Sequence, residues 1–136
     1  MTEKLIIRPR ILNGFTVEIK TAYGKMYVTI NESDSKPIEI FIIIGKSGRS
    51  IAAKAEAIGR LISMILRNGV EVEKVIKQIK GIGGENPHPD GKETYLSIPD
   101  AVGKLLEEFY GEKAQKTNED KIKKENILLE DKHNEI

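Results

Sequence analysis

Residues 15–20 read FTVEIK, residues 25–31 read KMYVTIN, and residues 38–44 read IEIFIII. The first two runs alternate apolar and polar side chains, the period-two pattern of half-buried strands. Tyr23-Gly24 marks a tight turn between them, and residues 31–37 form a polar, turn-rich loop. The third run differs from the others. Ile38, Ile40, Ile42 and Ile44 make one apolar face, while Phe41 and Ile43 make much of the opposite face apolar as well. Such a strand is expected to be central in a sheet, or covered on both sides: by helices on one and by the N-terminal arm or a second copy on the other.

Helical spacing follows. Gly45-Lys46-Ser47-Gly48-Arg49-Ser50 is a turn, after which Ile51, Ala55, Ile58, Ile62 and Ile65 recur at intervals of three and four, and Asn68-Gly69 stops the helix. Val72, Val75, Ile76 and Ile79 define a shorter helix ending at Gly81. Residues 81–94 are rich in glycine and proline and read as a loop. Ser97-Ile98-Pro99-Asp100 reads as a helix start, with proline in the first turn and an acid near the positive end of the dipole. Ala101, Val102, Leu105, Leu106 and Phe109 supply that helix's buried stripe. Upstream, Pro9 limits the stretch Leu5–Leu12 to an edge strand or an extended arm. The expected fold is α+β: a three-stranded antiparallel meander followed by three helices packed on one face. The domain spans residues 1–111, and residues 112–136 form a polar, flexible tail with one apolar patch at Ile127, Leu128 and Leu129.

Composition narrows the chemistry. The chain has 136 residues, 39% hydrophobic and 32% charged, with a formal net charge of +1. The charge is too small for a generally basic nucleic-acid binder, so any such activity needs a local patch. The isoleucine, lysine and glutamate bias leans towards a thermophile. Neither a signal peptide nor a membrane span is legible, which makes a cytoplasmic location the expectation. With no cysteine, the chain excludes a thiyl radical, a redox dithiol, a thiol nucleophile and a thiolate zinc site. The only histidines are His88 and His133, so no metal or other cofactor is expected.

Taken together, the segments resemble the TSCPD module at the C-terminus of cobalamin-dependent ribonucleotide reductases. The resemblance runs over roughly residues 8–109, from Arg8-Pro9, Leu12, Gly14 and Thr16 through Gly24–Asn31. Its most specific part is Ile44–Gly48 with Ala53 and Glu56–Ser63, followed by Gly69-Val70, Ile76–Ile82 and Ser97–Ala101. The family carries cysteines where this chain has Tyr23, Ser50, Gly84 and Ile98. In the family these four look like one tetrahedral metal cluster, so the resemblance implies that Tyr23, Ser50, Gly84 and Ile98 lie together here, held by ordinary packing. The parent reductase chemistry is not implied, since it needs cysteines and a cobalamin-binding barrel.

The residues most apt to bind a ligand are Gly45, Lys46, Ser47, Gly48, Arg49 and Ser50, which set backbone N–H groups, hydroxyls and two cations at a helix N-terminus. They suit a phosphate or carboxylate. The bland alternative is a turn in which Ser47 or Ser50 caps the helix. A Walker A loop is excluded because Ile40 stands where that motif needs a glycine. Arg8, Arg10, Lys20, Lys25 and Arg60 form a candidate basic patch, with Tyr23 and Tyr27 available for stacking. His88 with Asp90, and Asp100, are better read as surface and helix-start residues than as catalytic ones. The leading expectation is a free-standing, non-catalytic regulatory module that binds a nucleotide or a protein partner linked to nucleotide metabolism. A DNA- or RNA-binding protein and a structural homodimer that recruits a partner through its tail are the alternatives.

Overall fold

The most apolar strand lies at an edge of the sheet. In the computed structural model, which describes residues 5–45, 48–84, 86–114 and 117–134, β1 (Asn13–Thr21), β2 (Gly24–Ser33) and β3 (Lys36–Ile44) form an antiparallel meander in the order β1-β2-β3. The meander expected from the sequence is what forms, and of the two alternatives for the third strand the central one does not hold. Its outer face carries Phe41 and Ile43, 51% and 64% exposed, while Ile38, Ile40, Ile42 and Ile44 are buried beneath.

An edge strand leaves a row of N–H and C=O groups without partners, and here a helix covers the row and takes up the pair at Ile40. Helix α1 (Arg49–Arg67) runs back along β3, and Ser63 meets the free edge at Ile40. The Ile40 N–H donates to Ser63 Oγ at 2.9 Å, and the same hydroxyl lies 3.1 Å from the Ile40 carbonyl oxygen, to which it donates. One turn earlier, a Cβ on Gly59 would stand 3.2 Å from that oxygen. Ala55, Gly59 and Ser63 thus form a line of small residues at four-residue spacing, which lets the helix approach the strand's backbone. Beside that line, Ile62 and Leu66 enter the core, while Ile51, Ile58 and Ile65 are half-buried.

Below the sheet lie α2 (Val72–Ile79) and α3 (Ile98–Tyr110), whose Val75, Ile76, Ala101, Val102, Leu105, Leu106 and Phe109 complete the core. Between them the loop expected over 81–94 folds into a small hairpin, β4 (His88–Asp90) paired with β5 (Glu93–Tyr95). The polar stretch 31–37 is also shorter as a loop than its composition suggests. β2 runs on to Ser33, and only Asp34 and Ser35 turn, at φ 51° and 63°. Successive left-handed residues give the turn whose twist matches a right-handed hairpin, and a short polar side chain such as aspartate tolerates that region.

Residues 5–12 form no strand, which settles the choice for Leu5–Leu12 in favour of an arm. The Ile6 N–H donates to the Arg67 carbonyl at 2.6 Å, and the Arg8 guanidinium grips the Glu39 carboxylate through two nitrogens, each at 2.9 Å. Asn31 donates a third bond to Glu39 at 2.7 Å. The Arg8 bond, acting against burial and helped by Asn31, holds the Glu39 carboxyl below the usual carboxylate range. The arm covers this end of the outer face and leaves Phe41 and Ile43 exposed.

The tail contains a further helix, α4 (Asn118–Asn134). Its first turns are held on the domain: Asn118 donates to Glu32 at 2.6 Å, as does the Tyr110 hydroxyl at 2.7 Å, and Lys121 sits 5.5 Å over the Phe109 ring. Burial, reinforced by the Glu32 bond, raises the Tyr110 phenol far above its ordinary value. Ile127, Leu128 and Leu129 stay exposed.

If Ser63 seals the sheet edge, Ser63→Ala strands a buried N–H and carbonyl and lowers stability by about 1–3 kcal/mol in urea unfolding. Gly59→Val, which forces branched carbons against the Ile40 carbonyl, costs about 2 kcal/mol or more. Both variants losing less than half a kcal/mol would refute the edge contact.

Candidate functional site

Several connections gather at one end of the molecule. The β1–β2 turn at Ala22-Tyr23, the β3–α1 turn beginning at Gly45, the loop after α2 and the start of α3 are neighbours there. A Cβ on Gly24 would sit 3.5 Å from the Gly45 carbonyl oxygen, which shows how closely the first two turns approach. They enclose a cleft of about 210 Å³. Tyr23, Lys54, Gly84, Asn86 and Ile98 are among the residues that line it, with Ile51 from the first turn of α1.

Three of the four positions that the family resemblance singled out, Tyr23, Gly84 and Ile98, therefore share this cleft. Ser50 does not line it. That residue is exposed, directly before Ile51 and one turn before Lys54. Packing is tight where thiolates would stand. Ile98 is buried, and a Cβ on Gly84 would lie 2.9 Å from the Leu96 carbonyl oxygen. The loop thus occupies the space of a side chain at residue 84. Asn86 Nδ2 stands 3.4 Å from the Tyr23 hydroxyl, at the long limit of a hydrogen bond.

The start of α1 is open. Gly48 occupies the N-cap position with φ 90°, no side chain among the described residues caps the helix, and the first turn contains no acid. Ser50 lies inside the first turn and caps nothing, so that alternative fails for Ser50. Gly45 and Arg49 are exposed. Lys46 and Ser47 lie outside the described residues. Lys54 and Asn86 were not singled out from the sequence. Ile51, Lys54 and Ile58 share one helix face, which was the available signal for Lys54.

The start of α3 is closed by contrast. Ser97 Oγ accepts from the Asp100 N–H at 3.1 Å and donates to the Ile82 carbonyl at 2.6 Å. The buried Asp100 carboxylate accepts from the Gly81 N–H at 2.7 Å and the Leu96 N–H at 2.8 Å, and pairs with Lys104 at 2.9 Å. One carboxylate therefore ties both ends of the loop between α2 and α3. Burial alone would raise its pKa, but the Leu96 N–H, Lys104 and the Gly81 N–H outweigh burial and hold it low. Asp90 is likewise a tie, accepting from the Lys20 N–H at 2.9 Å, while His88 pairs with Tyr95 in the small hairpin.

The basic residues are largely matched. Arg8 is bound to Glu39, Lys25 lies 3.2 Å from Glu18, and Arg60 lies 3.5 Å from Glu56. Arg10 and Lys20 are exposed. Among the described residues, no group of three or more histidine, aspartate or glutamate side chains is placed to hold a metal. No described helix is long and apolar enough to cross a membrane.

A carboxyl held below its unfolded value stabilises the fold fully above that value, near pH ~4, and loses this contribution as the pH falls through the lower folded value. Asp100→Asn accordingly costs roughly 3 kcal/mol at neutral pH and flattens the acid limb of the stability curve. An unchanged acid limb would show that Asp100 does not carry it.

Comparison with curated proteins and with solved structures gave no significant match to either. The family model for the TSCPD domain matches residues 1–110, from the N-terminal arm through α3. That span takes in both the sealed sheet edge and the Asp100 loop tie, and on it the chain belongs to the TSCPD domain family.

Proposed function

We propose that the chain is a non-catalytic binding module, related to the C-terminal module of ribonucleotide reductases, that takes a phosphate-bearing ligand of the nucleotide class at the cleft beside the Gly45–Ser50 turn. The observation that carries this reading is a cleft lined by Ile51 from the first turn of α1, by Lys54 and by Asn86, with no helix cap and no carboxylate among the described residues that border it. Free N–H groups and the positive end of the helix dipole favour an anion, and Lys54 and Arg49 add charge on the same turns. Tyr23 offers a ring against which a base or sugar can lie. At about 210 Å³ the cleft holds a phosphoryl-sized group and leaves the remainder of the ligand on the surface. The nucleic-acid alternative has less support, because Arg8, Lys25 and Arg60 are already paired with carboxylates.

Thermal-shift and calorimetric titration with inorganic phosphate, pyrophosphate and nucleoside mono-, di- and triphosphates tests the proposal. At least one nucleotide raises the melting temperature, and Lys54→Ala with Arg49→Ala weakens its binding by roughly tenfold or more, about 1.4 kcal/mol. Absence of any shift, or equal affinity in the double variant, refutes it. Retention of single- or double-stranded DNA at low salt without nucleotide binding would move the assignment to the nucleic-acid alternative.

A further inference from the structure

The two edges of the sheet are treated differently. At the β3 edge, Ser63 and Gly59 of α1 meet the backbone. At the β1 edge, the pairing with β2 directs the N–H and C=O groups of Gly14, Thr16, Glu18 and Lys20 outward. Only Lys20 has a partner there among the described residues, its N–H donating to Asp90. Among the described residues, no hydrogen bond engages the outward N–H or C=O of Gly14, Thr16 or Glu18. All three residues are exposed, and Phe15 and Val17 between them are only half-buried on the inner face. No proline or bulge interrupts this stretch of β1; the β4–β5 hairpin lies beside the strand and is tied to it at Lys20, beyond the Gly14–Glu18 stretch.

We propose that Gly14–Glu18 is a pairing edge, and that its occupant is the β1 strand of a second copy of this chain, added antiparallel about Thr16. The open stretch is symmetric about that residue, as a two-fold axis requires. With Thr16 opposite its counterpart, Gly14 faces Glu18 and Phe15 faces Val17. The inner-face pairs are then apolar and no like charges stand opposite each other, while any register that sets Glu18 against Glu18 is penalised. This arrangement satisfies the three outward N–H and three outward C=O groups of each copy with about six main-chain hydrogen bonds. It also stops where Asp90 already occupies Lys20. The product is a continuous six-stranded sheet, with the α1-sealed β3 edges outermost.

Three variants test it, with oligomeric state read by light scattering and sedimentation over a wide concentration range. Wild type is a dimer. Glu18→Pro deletes an outward N–H without touching a bond to β2, an exchange that edge strands tolerate, and raises the dimer dissociation constant by roughly tenfold or more. Ile43→Lys, on the exposed outer face of β3, leaves the dimer unchanged. Thr16→Cys introduces the chain's only thiol at a pair whose Cα atoms stand about 5.5 Å apart, within disulfide reach, and gives a cross-linked dimer on mild oxidation. A monomeric wild type overturns the proposal. So does a dimer that survives Glu18→Pro but dissociates with Ile43→Lys, which would place the interface on the sheet face. If Glu18→Pro fails to fold, Thr16→Cys decides alone, and failure to cross-link overturns it.

Discussion

The contact between Ser63 and the backbone of Ile40 fixes more of this molecule than its size suggests. A three-stranded sheet has two edges and little area, and β3 could not remain an edge with its N–H and C=O groups buried and unpaired. One hydroxyl, acting as acceptor and donor at the same residue, resolves this at Ile40. It also sets the helix in register. Because α1 runs back along β3 with Ser63 at Ile40, its first turn must lie near the end of β3, where Ile51 and Lys54 face the cleft. The place of the candidate site is thus a consequence of how the sheet edge is closed.

A second constraint shapes the same end. The loop between α2 and α3 is long and glycine-rich, and such a segment loses much conformational entropy on ordering. Asp100 takes the N–H groups at both of its ends, and Ser97 takes the Ile82 carbonyl. These bonds are formed by a charged group in a buried setting, where each is stronger than a neutral equivalent. Ser97 and Asp100 are also the positions at which the chain keeps the family's signature, whereas Ile98 between them departs from it. The retained residues do structural work in hydrogen bonding; the replaced one packs.

Much of this fold was legible in the sequence. Period-two alternation placed β1 and β2, three- and four-residue spacing placed the helices, and Ser97 with Pro99 marked the start of α3. The position of β3 was not legible, because an all-apolar strand signals coverage and does not say what supplies it. Small residues covered it: Ala55, Gly59 and Ser63 form a seam that an apolar count passes over, since two of the three carry no apolar weight. The Asp34-Ser35 turn was hidden for a related reason. A polar run reads as loop whether it turns over two residues or seven, and left-handed backbone leaves no mark in hydropathy. At the candidate site, the family's replaced cysteines pointed to Tyr23, Gly84 and Ile98. Lys54 and Asn86 join them only through the folding of the chain.

The chain contains no cysteine. No thiolate metal cluster can tie together the turns that converge on the cleft, so their positions are held some other way. Here the ties are visible elsewhere: the Asp100 carboxylate and Ser97 hold the loop, Ser63 holds α1, and Gly84 closes against Leu96 with no room for a side chain. Gly84, Leu96 and Ser97 border the cleft themselves, but among the described residues the Lys54 ammonium and the first N–H groups of α1 take no part in these ties. A site stabilised by an internal metal would use its ligands on that metal. On the proposed reading, moving the structural load to Asp100 and Ser63 is what leaves this end of the domain free to take an anion.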